Sequence, residues 1–176
     1  MTACTICRAD FAAANDAHVV CSIACAKRIP AFSRKQAKAE RQATRARLEA
    51  IKPRSHWLRT AQAAFNSWIR ARDAGQGCIS CGTQTGKQNA GHYRSVGSCP
   101  ELRFEPANCH LQCERCNTYL HGNLIDYRAQ LITRIGTDGV SWLEGPHGPA
   151  KHSTELLKGM GAMYRAMARE LNNKGQ

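Results

Sequence analysis

The sequence predicts a mostly helical α+β protein that is held together by two cysteine-bound metal sites. Three observations lead to this prediction. Several segments are rich in helix-forming residues, two groups of four cysteines have the spacing of zinc ligands, and extended segments are few and short. The length of 176 residues allows one ordinary domain with a small appendage.

The composition indicates an anionic partner. The chain carries 25 Lys and Arg against 13 Asp and Glu, a formal net charge of +12, which suits nucleic acid or an anionic membrane surface. Its apolar stretches are only a few residues long, so we expect no transmembrane helix. The amino terminus lacks the pattern of a signal peptide. We therefore expect a cytoplasmic protein whose ten cysteines act mainly as metal ligands rather than as disulfides.

Residues 1–25 are predicted to form an N-terminal zinc-binding module. Its cysteines follow the pattern C-x2-C, thirteen residues, then C-x3-C, and they are Cys4, Cys7, Cys21 and Cys25. A fragment of this size could hardly fold without a metal ion. His18 lies in the same segment and is either a competing ligand or a surface residue.

Residues 26–52 are predicted to form a basic helical linker, with a helix from about Ser33 to Ile51 that Pro53 ends. Its apolar residues are mostly alanine, so little of it can be buried. Between Lys27 and Arg59 there are eleven Lys or Arg and only two acidic residues. These charges form either a solvated helix face or contacts to DNA phosphates. The candidate DNA-binding residues are Lys35, Lys38, Arg41 and Arg45.

Residues 53–140 are predicted to form the main domain, which begins with a helix from about Ser55 to Ala74. Apolar residues recur on one face of this helix, namely Trp57, Ala61, Ala64, Phe65, Trp68 and Ile69. Short strands are expected around Ala90–Arg94 and Leu102–Phe104. A further helix should follow Asn123 and end at Gly136.

The main domain contains the second cysteine group, Cys78, Cys81, Cys113 and Cys116. The pattern is C-x2-C, 31 residues, then C-x2-C. Four thiolates close a tetrahedral zinc shell, and a closed shell is structural because it leaves no position for water. The alternative is two independent redox or packed pairs. Cys99 and Cys109 are interpreted as small packed hydrophobic residues.

Residues 141–176 are predicted to be a Gly- and Pro-rich loop followed by a helix from about Thr154 to Leu171, with Thr154 as its N-cap. The apolar stripe of this helix, which includes Leu156, Leu157, Met160, Met163 and Met167, either packs on the core or forms an interface between subunits.

Polar residues around the second cysteine group stand in a functional order. His92 follows the first pair, Asn108 precedes the second pair, and Asn117 follows it directly. His110 and His121 are nearby. Each of these residues alone has an ordinary interpretation, such as a surface histidine on a strand or an asparagine cap.

Together these residues resemble the HNH, or ββα-metal, endonuclease superfamily. Its members place a histidine at the end of a first strand, an asparagine in the next loop, and a metal ligand at the start of a helix. The asparagine after a four-cysteine knuckle is similar to the phage junction resolvase endonuclease VII class. The resemblance implies a zinc-stabilised HNH-like ββα-metal core flanked by helices.

A narrower resemblance covers most of the chain. The segments AGHYRSVGSCPELRF, NCHLQCERCN and GNLIDYRAQLITRIG resemble the phage lambda NinG family, also called Rap, as do Lys52–Trp57 and the first cysteine group. The resemblance implies a phage- or prophage-encoded endonuclease that cuts branched recombination DNA, such as Holliday junctions and D-loops. Resolution of a junction needs two symmetrical cuts, which implies a homodimer.

The resemblance also implies roles for single residues. His92 would be the general base, Asn108 would hold the loop and orient His92, and Asn117 would bind Mg²⁺ or Mn²⁺. On a helix, Asn117 and His121 would share one face. Two structural zinc ions would be bound by the cysteines.

One departure from the superfamily pattern leaves alternatives open. Gly91 stands where a second metal ligand is usual. Possible substitutes for it are Asn89, Glu101, Glu105 and Asp126. The alternatives are therefore a non-catalytic zinc-containing DNA-binding accessory protein and an HNH nuclease that cuts linear duplex. Arg94 and Arg103 are candidate clamps on the DNA backbone.

Overall fold

The computed structural model describes residues 1–174 and divides into two compact units. The first unit is Met1–Lys52, and the second begins at Pro53. Helices dominate the second unit, and the only strands in the described residues form two two-stranded antiparallel sheets, one in each unit. None of the helices in the described part of the chain is long and apolar enough to span a membrane.

The first unit consists of a small sheet and two helices. Strands β1 (Thr2–Ala3) and β2 (Asp10–Phe11) pair with each other. The short helix α1 (Ile23–Ala26) is capped by the Ser22 hydroxyl, which accepts a hydrogen bond from the amide of Cys25 at 3.2 Å.

Helix α2 (Ile29–Ala50) is longer than the sequence predicts, because it begins four residues before Ser33. Pro30 lies in its first turn, where the missing N–H of proline costs no helical hydrogen bond. Almost all of its described side chains are exposed or half-exposed, as expected for a helix whose apolar residues are mostly alanine.

The second unit is built on helix α3 (Arg54–Arg72), which packs against helix α5 (Thr154–Lys174) and against the strands β3 (Gln88–His92) and β4 (Cys109–Cys113). The predicted apolar face of α3 is confirmed, since all six of its members are buried. Phe65 is fully buried at the centre of this face. Its ring lies 5.8 Å from that of Phe104 and 5.0 Å from that of Tyr164.

Helix α4 (Leu124–Glu144) contributes a second core, in which Tyr127, Leu131 and Leu143 are fully buried. The break predicted at Gly136 is present as a residue with φ of 76° and ψ of 168° inside the helical run. The chain then resumes a helix to Glu144, which the sequence analysis does not predict. Glycine permits this left-handed conformation at little cost, so the apolar stripe continues beyond the kink to Val140 and Leu143.

Two local predictions are wrong. Residues 102–104 are not a strand. They lie between two 3₁₀ turns that begin at Pro100 and Pro106, and proline has no N–H to donate to a neighbouring strand. The second strand is instead Cys109–Cys113, in which every residue is buried. The N-cap of α5 is Ser153 rather than Thr154, since the Ser153 hydroxyl accepts from the amide of Leu156 at 3.1 Å.

The stripe on the final helix packs mainly on the core, and its role as an interface between subunits stays a prediction. Leu157 is buried, and Met160 and Met167 pack against the core. Leu156 and Met163 are exposed by 49% and 48%. Core packing therefore accounts for most of the stripe.

Candidate functional site

The second cysteine group comes together as its spacing predicts. The sulfurs of Cys78, Cys81, Cys113 and Cys116 all lie within 4.8 Å of one another. Gly82 has φ of 75°, which lets the chain turn so that its amide donates to the carbonyl of Cys78 at 2.8 Å. Burial raises the pKa of Cys78, but backbone hydrogen bonds from Cys113 and Cys81 oppose it and bring the pKa to about 7. These four thiols could hold a structural metal ion, consistent with zinc.

The first cysteine group is also assembled. The sulfurs of Cys4, Cys7, Cys21 and Cys25 lie within 4.8 Å of one another. Backbone hydrogen bonds from Cys7 and Cys21 lower the pKa of Cys4 to about 6, so one thiolate is favoured before any metal binds. His18 is not part of the group, because its Nδ1 accepts from the amide of Ala14 at 3.1 Å and its ring packs on Phe11.

The antiparallel strands β3 and β4 form a hairpin that runs from the second cysteine group to His92. Its register pairs Gln88 with Cys113 at one end and His92 with Cys109 at the other. A buried ion pair fixes β4 to α3, because Asp73 binds the guanidinium of Arg72 at 2.7 Å and accepts from the amide of Leu111 at 2.9 Å. Burial acts to raise the pKa of Asp73, but these hydrogen bonds hold it below its ordinary value.

The imidazole of His92 is held by main chain and thiol. Its Nε2 lies 3.0 Å from the carbonyl oxygen of Arg103, and its Nδ1 lies 3.6 Å from the sulfur of Cys109. A carbonyl can only accept, so Nε2 carries the proton and Nδ1 is the acceptor. Burial lowers the pKa of His92, which keeps the ring neutral. Burial also raises the pKa of Cys109, so its thiol stays protonated.

Asn108 fastens the loop that supplies the carbonyl to His92. Its Oδ1 accepts from the amide of Arg94 at 2.8 Å, and its Nδ2 donates to the carbonyls of Arg94 at 3.0 Å and Leu102 at 3.2 Å. The side chain is fully buried. Its carboxamide bonds go to the loop rather than to the imidazole, so Asn108 acts on His92 indirectly through the loop that carries Arg103.

An open cleft of about 330 Å³ lies at the end of the hairpin. It brings together the two histidines that the sequence places near the cysteine pairs, with polar residues of the loop between them. The lining residues are His92, Tyr93, Arg94, Ser95, Ser98, His121 and Leu124. Within residues 1–174 no carboxylate lines this cleft, and the two histidines with Arg94 make it a candidate site for an anionic ligand.

Two predicted site residues take other positions. Asn117 lies in a π-helical turn, Arg115–Tyr119, whereas His121 follows it with φ of 48°, so the two do not share a helix face. His110 is buried and its Nδ1 lies 3.2 Å from the hydroxyl of Tyr127. Burial lowers the pKa of His110 to about 4, so it is a neutral core residue outside the cleft.

Gly91 is explained by its neighbour Gln112. A Cβ at position 91 would lie 2.2 Å from Oε1 of Gln112, so any larger residue needs this side chain to move. The Nε2 of Gln112 donates to Ser80 Oγ at 2.8 Å and to the carbonyl of Gly122 at 2.6 Å. Gln112 therefore lies against Gly91 and links Ser80, which stands between Cys78 and Cys81, to the turn beside His121.

We expect Gly91→Ala to destabilise the second unit by about 1–3 kcal/mol, because the new methyl group overlaps the fully buried Gln112. Urea unfolding followed by circular dichroism measures this loss. Gly97→Ala is the matched control, since only one atom lies within 4 Å of a Cβ there, at 3.9 Å. Equal midpoints for the two variants would contradict the packing role of Gln112.

The candidate substitutes for a ligand at position 91 are engaged elsewhere or lie outside the cleft. Glu105 accepts from the amide of Ala107 at 3.0 Å, and Asp126 accepts from Asn123 at 2.9 Å. Asn89 lies on β3 opposite Gln112, and Glu101 lies in the 3₁₀ turn after Cys99. None of the four lines the cleft.

The predicted DNA contacts fall into two places. In the second unit, Arg94 lines the cleft with its guanidinium 3.2 Å from the sulfur of Cys99, and Arg103 donates to Gln62 at 3.2 Å. In the first unit, one face of α2 carries Arg34, Lys38, Arg41 and Arg45 around Ala37 and Gln42. Lys35 is exposed on α2 but outside this stripe.

Three structurally important residues were missed by the sequence analysis: Arg72, Asp73 and Gln112. The adjacent Arg72 and Asp73 at the end of α3 gave a weak signal, because a charged pair before a glycine usually remains in solvent. Gln112 gave no signal, since a glutamine between two buried positions has no distinctive pattern.

The fold and site define a small, basic protein with two groups of four cysteines that could each hold a metal ion, and with a cleft lined by two histidines. The chain belongs to the phage lambda NinG family, because residues 1–174 match the family model described as "Bacteriophage Lambda NinG protein".

The chain is similar to curated relatives over 125 residues. It is 45% identical to Protein ninG of Escherichia phage lambda, 45% to that of Salmonella phage P22 and 44% to that of Escherichia phage 933W. The match covers 70% of this chain but only 61–62% of these relatives, less than two thirds of their length. No solved structure matches the chain significantly.

Proposed function

We propose that this chain is a metal-dependent endonuclease that cuts branched DNA, such as Holliday junctions and D-loops, during phage recombination. The observation that carries the proposal is the cleft that His92 and His121 both line, at the end of the hairpin whose other end holds Cys113. Strands β3 and β4, with the helical turn that follows them, are assigned as the ββα core of an HNH nuclease. The net charge of +12 suits a DNA substrate.

His92 is assigned as the general base. Its Nε2 proton is directed at the carbonyl of Arg103, so Nδ1 is the atom that would remove a proton from the attacking water. A neutral imidazole is required for this step, and burial favours it. The thiol of Cys109 competes for Nδ1 and must yield when water and substrate enter.

A divalent ion would be held mainly by neutral donors and by the substrate. Asn117 is half-buried and its carboxamide makes no hydrogen bond within residues 1–174, so its oxygen is free to bind Mg²⁺ or Mn²⁺, and His121 in the cleft is a further donor. Mg²⁺ usually keeps several waters and accepts phosphate oxygens as ligands, which fits so small a donor set. Such an ion stabilises charge on the scissile phosphate and its leaving oxygen.

The two cysteine groups are assigned structural zinc. Each provides four sulfur ligands and no place for water, so neither takes part in the reaction.

The main alternative is a non-catalytic DNA-binding accessory protein. Gly91 favours it, because the expected ligand position is covered by Gln112 and no carboxylate lines the cleft. A nuclease that cuts linear duplex is the other alternative.

The proposal is tested by incubating the zinc-loaded protein with a labelled four-way junction, a D-loop and a linear duplex of matched sequence. Mg²⁺ or Mn²⁺ is added or left out, and EDTA is avoided because it removes structural zinc. We expect ion-dependent nicking of the branched substrates alone. Equal cutting of the linear duplex would support the linear-duplex nuclease, and binding without any nicking would support the accessory protein.

A further inference from the structure

A second concavity of the second unit lies away from the His92 cleft, along one face of α3 and the adjoining part of α5. This α3–α5 groove has a volume of about 540 Å³ and is lined by His56, Arg59, Thr60, Ala63, Ala64, Ser67 and Arg165. None of these residues lines the cleft at the end of the hairpin. The proposed reaction therefore leaves the groove without a role.

The shape of the groove follows from small residues. Six of the lining residues lie on α3, and five of them follow His56 by three, four, seven, eight and eleven positions. They therefore form a single stripe about 16 Å long. Ala63 and Ala64 keep its centre shallow. Gly161 of α5 faces Ala61 of α3, since a Cβ at position 161 would lie 3.6 Å from Cα of Ala61, in ordinary van der Waals contact.

The lining carries positive charge that the protein itself does not neutralise. Two guanidinium groups and an imidazole face the groove, and no acidic residue lines it. Within residues 1–174, neither Arg59 nor Arg165 forms an ion pair. The end of the Arg165 side chain lies over Gly161, 3.4 Å from where a Cβ would be, so it points back along α5 towards α3.

We infer that the α3–α5 groove binds the phosphate backbone of a duplex arm of the DNA substrate, with Arg59 and Arg165 as the two main phosphate contacts. Arginine is suited to this role because its planar fork binds two phosphate oxygens at once. His56 and the hydroxyl of Ser67 supply shorter polar groups along the same stripe, whereas the hydroxyl of Thr60 donates to the carbonyl of His56 at 2.9 Å. Because the contacts reach only the backbone, they position the DNA without selecting its sequence.

This inference rests on the proposed function and adds a surface that holds an arm of a branched substrate. An apolar ligand is a poorer occupant, because the groove is open and two arginines line it without an ion-pair partner within residues 1–174. Duplex DNA fits better, since its regular row of phosphates can follow a stripe of this length.

The test measures binding of a fluorescent four-way junction and of a linear duplex, without Mg²⁺ or Mn²⁺, from about 50 to 200 mM salt. The variants are Arg59→Gln, Arg165→Gln and the double variant. The control is the double variant Lys151→Gln with Arg169→Gln, which removes the same charge from exposed residues that line neither the groove nor the cleft. Thermal melting confirms that all of them fold.

We expect the groove double variant to bind both DNAs at least tenfold more weakly than wild type, and its slope of log affinity against log salt to fall by about two. The control should lose less than half as much slope. Affinity and slope equal to those of the control would overturn the inference, as would stronger binding of anionic phospholipid vesicles than of DNA. If wild type binds neither DNA, both the groove inference and the proposed function fail. If wild type binds DNA and the groove variant matches the control, only the groove inference fails.

Discussion

Cys116→Ala should remove one of two zinc ions and unfold the hairpin region of the second unit. Cys116 is 1% exposed in the second cysteine group, and three remaining sulfurs cannot close the tetrahedral shell. Zinc binding contributes about 10–16 kcal/mol in small zinc modules, which equals or exceeds the whole stability of many domains. Zinc content by atomic absorption and thermal melting by circular dichroism measure both effects.

The control for this variant is Cys99→Ala. Cys99 is also buried, at 5% exposed, but it lies outside both cysteine groups. It should keep two zinc ions and lose only the packing of a small side chain. A Cys116→Ala protein that retains two zinc ions and the wild-type melting temperature would show that the group is a packed cluster of thiols.

Asn108→Ala should destabilise the second unit by about 3 kcal/mol or more. The substitution removes three hydrogen bonds from a fully buried carboxamide and leaves the amide and carbonyl of Arg94 without partners, whereas the carbonyl of Leu102 still accepts from the amide of Glu105 at 3.2 Å. Each buried group left unpaired costs about 1–3 kcal/mol. Urea unfolding provides the measurement.

Asn117→Ala is the matched control for Asn108. Its carboxamide has no hydrogen bond within the described residues and is half-buried, so we expect a change below about 0.5 kcal/mol. If both variants unfold at the wild-type midpoint, the loop that holds the Arg103 carbonyl does not depend on Asn108.

The parts of the fold that sequence could predict are those with a strong local pattern. The apolar residues Trp57, Ala61, Ala64 and Trp68 recur every three to four positions, which predicts α3 directly. The cysteine spacing predicts both groups of four thiols, and the structure assembles both so that each could hold a metal ion.

The parts that could not be predicted depend on contacts distant in sequence. Strand β4 alternates Cys109, Leu111 and Cys113 with the polar His110 and Gln112, as a half-exposed strand would, but all five residues are buried. The burial of its polar face depends on contacts such as that of His110 with Tyr127 of α4. The helix after Gly136 was missed because a glycine with positive φ usually ends a helix, whereas here Val140 and Leu143 still reach the core.

The site was predicted in its order but not in its geometry. His92 and His121 meet in one cleft, which their separation by 29 positions does not reveal. His110 is also close in sequence to the second cysteine group, but its side chain lies in the core. Successive residues of β4 point to opposite faces of the hairpin, and position 110 faces Tyr127. Position 91, where the superfamily usually has a metal ligand, is a glycine because it packs against Gln112, a residue 21 positions away.

The most direct test of the account compares wild type with His92→Ala on a labelled four-way junction, under single-turnover conditions with Mg²⁺ or Mn²⁺. The account predicts that the variant binds the junction as tightly as wild type and folds with two zinc ions, but cuts it about 10²- to 10⁴-fold more slowly, the usual contribution of a general base. Cutting by the variant at the wild-type rate, or a wild-type protein that binds the junction and never nicks it with either ion, would contradict the account.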